Sequence, residues 1–383
     1  MSDDRSQRQR GWRAEPCDPA AQPWLEDVRG GHPRAELGLR PGVAMVRGLL
    51  TGEVPPPPLS RLTGLTVTSV GAGSTTFALP LSDWLADGDG EVGLGPLTVA
   101  ADAAMACAAI TLLPPRVGLT TAQLSIRRVR PVRCGGLATA TAKVADRTPA
   151  GVITEVSVSA GGRVIAHGSS LCVELPEHGG RPPAAPGQAH GSDGQAHGSD
   201  GPARGSDGPA RGSDGQAYGS DGPARGLAGR RADRSGSAAG RDDRLDPWRR
   251  PVPAEAVEDH AGALGALIGL RVRSAGRGTA VCSLPATRWL CAPPPGRVQG
   301  GWIATLAESA IAAAIRSQDG LGRARVLSLE LNILRALASD GAQAVASARV
   351  VHAGRRVPVA SAEVHDARGR LVALATGSAT ARL

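Results

Sequence analysis

Val298-Gln299-Gly300-Gly301-Trp302-Ile303-Ala304-Thr305-Leu306-Ala307-Glu308-Ser309-Ala310-Ile311-Ala312-Ala313-Ala314-Ile315-Arg316 is the stretch whose reading decides the fold. After the glycine pair it is built from Ala, Leu and Ile, good or tolerable helix formers, with apolar side chains on nearly every face. The pattern predicts a helix buried on all sides. Glu308 stands inside it with no Lys, Arg or His three or four residues away. A buried carboxylate without a partner is costly, so this one has either a distant partner or a chemical task.

The segment from Gly95 to Leu113 reads the same way, an alanine-rich helix holding a lone acid, Asp102. The two acids are 206 residues apart. Leu-Pro-x-x-x-Trp-Leu stands at Leu79 and again at Leu284, 205 residues on, and Gly-Arg-(Val/Leu)-(Ile/Val)-Ala at Gly162 and at Gly369, 207 residues on. Landmarks in register over such a span predict an internal duplication. In the first copy the buried helix follows a short helix near Pro41 and two strands, Leu65 to Val70 and Thr75 to Leu81. Four strand candidates come after it: Thr120 to Val129, Leu137 to Val144, Gly151 to Ser159 and Arg163 to Leu175. The class is α+β, each copy an antiparallel sheet wrapped around one central helix.

Between the copies the sequence changes character. Gly-Ser-Asp-Gly-(Gln/Pro)-Ala-(His/Arg/Tyr) repeats from Gly191 to Arg225 with almost no apolar residue, the composition of a disordered linker. About 70 flexible residues reach about 45 Å, enough for the flanking domains to pair in any orientation. The expected organisation is a loose tail over 1–40, a first domain over 41–178, the linker over 179–250 and a second domain over 251–383.

The chain has 383 residues and a net charge of +8, almost all of its cation being Arg, since Lys143 is the only lysine. Nucleic acid is the first partner such a charge suggests. There is no basic helix, no zinc-finger spacing and, with one Phe and one Tyr, little to stack on bases. A polyanionic small ligand such as a nucleotide or coenzyme A stays open. The six cysteines are scattered without Cys-x-x-Cys pairs or histidines at ligand spacing, so no metal is expected and the thiols suit a reducing cytosol. The first residues are polar, and the apolar run from Leu97 to Leu113 is too short for a bilayer, so the protein reads as cytoplasmic and free of membrane.

A Gly-Gly opening an apolar helix, with an acid eight residues after the first Gly, resembles the hotdog-fold acyl-CoA thioesterases, closest to the phenylacetate-pathway (PaaI-type) group. That group's usual pattern is His-Gly-Gly, four residues, Leu, one residue, Asp. The second copy has Gln299-Gly300-Gly301, Leu306 and Glu308, then Ser328-Leu329-Glu330-Leu331-Asn332-Ile333, similar to the family's Ser-x-Asp-x-Asn-x strand. The first copy has Gly93-Leu94-Gly95-Pro96, Asp102 and Thr121-Ala122-Gln123-Leu124-Ser125-Ile126. Gln299 replaces the family's His, and Leu94 stands where the first glycine belongs.

The resemblance implies two hotdog domains in tandem and hydrolysis of an acyl-CoA thioester without a cofactor. A helix N-terminus offers unpaired N–H groups to an oxyanion, and a buried carboxylate suits a general base or nucleophile. An acid eight residues into the same helix lies about 12 Å from that N-terminus, so the two copies must share each site. In family architecture, site one pairs the Gly300 amide and Gln299, and Gly301 beside them, with Asp102 and Thr121. Site two pairs the Leu94 and Gly95 amides with Glu308 and Ser328. Site one, with its true Gly-Gly turn, is expected to be the productive centre.

Arg127, Arg128, Arg130 and Arg133, with Arg335 matching Arg130 in the second copy, are candidates for the CoA phosphates, and Trp302 either lines the acyl tunnel or fills the core. A hydratase of the same fold would need a His about five residues after the acid, where Cys107 and Ala313 stand. The alternative is a non-catalytic acyl-CoA-binding or scaffolding double hotdog. Pairing of the two hotdog domains, within one chain or between chains, is expected either way.

Overall fold

In the computed structural model, the residues described are 22–28, 39–87, 90–175, 262–292, 296–354 and 356–380. The linker expected over 179–250 lies outside them, as does most of the tail expected over 1–40. Residues 22–28 of that tail are described and are not loose. The Trp289 indole donates to the Glu26 carbonyl at 2.8 Å, and Trp24 packs on Gly269.

The first copy opens with helix α1 (Gly42–Thr51), which ends on the left-handed Gly52. Helix α2 (Pro58–Thr63) follows inside a run that reads in the sequence as a helix stop. Pro58 sits at the first helical position, where a missing N–H costs nothing. Strands β1 (Thr66–Gly71) and β2 (Ser74–Pro80) lead to the central helix α3 (Leu94–Ile110). Strands β3 (Gly118–Arg128), β4 (Leu137–Thr148), β5 (Gly151–Ala160) and β6 (Arg163–Leu175) complete the copy.

The second copy repeats this order: α4 (Gly262–Ile268), β7 (Arg271–Gly276), β8 (Thr279–Pro285) and the central helix α5 (Gly300–Arg316). Then come β9 (Arg325–Ile333), β10 (Gln343–His352), β11 (Val359–His365) and β12 (Leu371–Thr380).

All twelve strands form one antiparallel sheet in the order β1-β2-β4-β5-β6-β3-β9-β12-β11-β10-β8-β7. The order reads the same from either end with the copies exchanged. Its middle is the β3–β9 pair, running from Gln123 opposite Asn332 to Arg127 opposite Ser328. The copies therefore pair within the chain, and each is the sheet-around-helix unit of a hotdog fold.

Helices α3 and α5 pack on each other beneath this junction, which is why neither has a polar stripe. Two glycines set how closely they cross. A Cβ on Gly95 would stand 2.8 Å from the Thr305 side chain, and one on Gly301 only 2.5 Å from the Val99 Cα. The same crossing carries each helix's acid to the start of the other helix.

Candidate functional site

Site one is assembled where α5 begins. Asp102, 1% exposed in the middle of α3, receives the Gly301 amide on Oδ2 at 3.0 Å. The Thr121 hydroxyl, from β3, donates to Oδ1 at 3.0 Å. Gly300 lies so close that a Cβ there would be 3.1 Å from Oδ2. Gln299 donates from Nε2 to the Val99 carbonyl of α3 at 3.0 Å, while its Oε1 is buried without a partner. Its amide thus clamps the start of α5 to the opposing helix. Burial pushes the Asp102 carboxyl up to about 6, against the opposing pull of the Gly301 and Thr121 hydrogen bonds.

Site two lies where α3 begins. Glu308 Oε2 accepts the Gly95 amide at 3.3 Å. Burial raises the carboxyl above its ordinary range, offset by the charges of Arg128 and Arg316 and by the Gly95 and Leu94 amides. Charged groups surround this end. Arg128 has Nε and Nη1 buried without a hydrogen-bond partner, and Arg325 bridges Asp87 at 2.9 Å and Glu91 at 3.5 Å.

One sequence expectation changes here. Ser328 does not meet Glu308; its hydroxyl shares a 2.6 Å hydrogen bond with Ser378. The strand register gives the reason. Thr121 opposes Cys172 just beyond a bulge, and in the second copy Val326 opposes Ala379 just beyond the matching bulge. The counterpart of Thr121 is therefore Val326, and that of Ser328 is Gln123, a slip of two residues.

Trp302 is 0% exposed and packs in the core, with its indole N–H buried and unpartnered. Arg130 and Arg335 are indeed counterparts, but each spends one N–H on a strand carbonyl, of Val164 at 2.6 Å and of Leu371 at 2.7 Å. The rest of each guanidinium is exposed.

The arrangement at both ends is a carboxylate held against a helix N-terminus contributed by the other copy. Residues 295–373 match the family model of the thioesterase superfamily. A conserved protein of Pseudomonas aeruginosa is 34% identical over 30% of this chain and 90% of its own, with a TM-score of 0.28. A variant of the phenylacetic acid degradation protein PaaI from Thermus thermophilus is 31% identical over 30% of this chain and 96% of its own, with a TM-score of 0.28. The chain belongs to the thioesterase superfamily. A longer likeness, to an acyl-CoA thioesterase II from Mycobacterium marinum, spans 84% of this chain and 96% of that one at 11% identity and a TM-score of 0.45. No curated protein matches the sequence.

Within this thioesterase-superfamily chain the described residues contain no group of three or more His, Cys, Asp or Glu placed to hold a metal. No described helix is long and apolar enough to cross a membrane. The sequence reading missed Ile333, and it did not place Arg128 beside Glu308. They are counterparts on β3 and β9, and Ile333 stands against Gly300 in site one. Nothing in a single strand sequence marks such a position; only the pairing of β3 with β9 brings it to the helix start.

Proposed function

We propose that this chain is a PaaI-type acyl-CoA thioesterase that releases free acid and CoA at site one. The observation that carries the reading is the Asp102 carboxylate lodged against the Gly300–Gly301 start of α5. The thioester carbonyl oxygen would accept from the Gly300 amide at that helix end, where the partial positive charge lies. Asp102, ionised above about pH 6, takes a proton from the attacking water, or attacks directly, while Thr121 fixes its orientation. Water adds to the carbonyl carbon, the C–S bond breaks, and the proton held by Asp102 passes to the leaving sulfur.

Gln299 acts by fixing the helix start. Site two keeps the amide–carboxylate contact, but it has Leu94 in place of the first glycine and Arg128 in place of an aliphatic side chain. We assign it no turnover. For the CoA phosphates we retain the exposed guanidinium edges of Arg130 and Arg335, with a cytoplasmic setting and no nucleic-acid or membrane partner.

The test is a panel of acyl-CoAs incubated with the purified chain and a thiol-trapping dye. Thiol release on at least one member supports the reading. Tight binding across the panel without release overturns it in favour of an acyl-CoA-binding or scaffolding protein.

A further inference from the structure

Behind Asp102 the polar contacts continue. Thr121 Oγ1, besides donating to the carboxylate, lies 4.0 Å from the Cys172 sulfur. Cys172 lies 3.5 Å from Ser170 Oγ, and Ser170 shares a 2.7 Å hydrogen bond with Thr154 Oγ1. Cys172, Ser170 and Thr154 are all buried, at 0%, 3% and 0% exposure, in the wall that β5 and β6 turn towards α3.

The second copy shows what this wall looks like without the chain of donors. The register that opposes Thr121 to Cys172 and Thr154 to Ser170 opposes Val326 to Ala379 and Ala360 to Gly377. Every one of the four polar groups has a counterpart that is apolar or has no side chain. The fold needs none of these hydroxyls or the thiol, and buried polar groups in a hydrophobic wall are retained only at a cost. They occur only behind the acid of site one.

We propose that Thr154, Ser170 and Cys172 are positioning residues: with Thr121 they form a one-way file of donors that holds the Asp102 carboxylate in place and strengthens the hydrogen bond it receives. Each member can donate towards the next, Thr154 to Ser170, Ser170 to Cys172, Cys172 to Thr121 and Thr121 to Asp102. Donors aligned in this way polarise one another and favour the charged carboxylate at the end of the file. The titratable groups facing Asp102 are two thiols, Cys107 from its own helix and Cys172 from β6. Both are pushed up, to about 12 and about 11, so neither brings a charge near neutral pH. Among the described residues the Gly301 amide is the other donor to the carboxylate, and it does not depend on the file.

The inference takes its catalytic meaning from the proposed role of Asp102, but its test does not depend on turnover. The Asp102 carboxyl is titrated by carbon-detected NMR in the full chain and in the Cys172→Ala, Ser170→Ala and Cys172→Ser variants, alongside the pH profile of hydrolysis. Breaking the file with Cys172→Ala or Ser170→Ala is expected to raise the proton affinity of Asp102 roughly threefold and to move the acid limb of the kcat profile by the same amount, with KM unchanged. Cys172→Ser, which keeps a donor, is expected to restore most of the shift. Folded variants whose Asp102 titration matches the parent's would overturn the proposal, leaving the file as packing. A shift in the titration, in a protein where Asp102→Asn does not affect hydrolysis, would leave the file standing and overturn the catalytic role of Asp102 instead.

Discussion

The starts of α5 and α3 are the same construction furnished in two ways. Both receive a carboxylate from the middle of the opposing helix, and both rely on a glycine where the helices cross. At the start of α5 the acid is surrounded by neutral donors, the Gly301 amide and the Thr121 hydroxyl with its buried file behind it. At the start of α3 it is surrounded by charge, with Arg128 beside it and the Arg325–Asp87–Glu91 cluster nearby. Duplication fixed the backbone and the crossing, and the strand side chains decided what each carboxylate can do. Neutral donors leave a carboxylate that titrates close to neutrality and can exchange protons. Fixed charges tie it into an electrostatic cluster.

The largest effect is expected in the crossing itself. Gly301→Ala drives a methyl group into the Val99 backbone, which cannot turn aside, and should destabilise the fold by about 3 kcal/mol in urea unfolding. Gly95→Ala meets the Thr305 side chain at 2.8 Å and its Cα at 3.0 Å, a slightly looser approach to backbone, and should cost less, roughly 2 kcal/mol. Equal losses would mean that the crossing is more symmetric than the close approaches indicate.

The next effect comes from ionisation. The folded protein holds the Asp102 proton more tightly than the unfolded chain does, from 3.8 up to about 6. Stability from this group is therefore complete below about pH 4 and is lost as pH rises through about 6, to a total of about 3 kcal/mol. Asp102→Asn escapes that cost but gives up part of two hydrogen bonds. It should be more stable than the parent by about 2 kcal/mol at pH 8 and no more stable at pH 4, as read by chemical unfolding at the two pH values.

Smaller again is the effect of exchanging strand residues between the ends. Thr121→Val installs the side chain of its counterpart, Val326, and should lower kcat about tenfold, the value of one hydrogen bond to a charged group. Ser328→Ala, at the position that sequence spacing alone would pair with Thr121, should change hydrolysis by less than about twofold, because its bond is to Ser378. Comparable losses from both would undo the register assignment.

Much of this was legible in the residues. A helix apolar on all faces cannot exist without cover, so the two buried helices and their sheets followed from composition and period. The lone acids at matching places exposed the shared sites, because an acid too far from its own helix start must serve another. The failures have one cause: spacing along the chain does not record bulges. The offset between copies is 205 residues on β3 and β9, 206 on the central helices and 207 on β6 and β12, as the paired registers show. Counting 207 from Thr121 landed on Ser328 when the fold counts 205 and lands on Val326. Trp302 was ambiguous because a tryptophan beside a glycine pair fits a tunnel and a core equally well. The file behind Asp102 was invisible because single Thr, Ser and Cys residues on separate strands are ordinary until the pairing of β5, β6 and β3 lines them up.

The account rests most directly on the two acids. Steady-state hydrolysis of the best acyl-CoA by Asp102→Asn and by Glu308→Gln, each confirmed folded, compares the two helix starts without other changes. The prediction is a fall in kcat of about a thousandfold for Asp102→Asn, and a change of less than about threefold for Glu308→Gln. Full activity in Asp102→Asn with none in Glu308→Gln would contradict it and move the chemistry to the other end of the molecule.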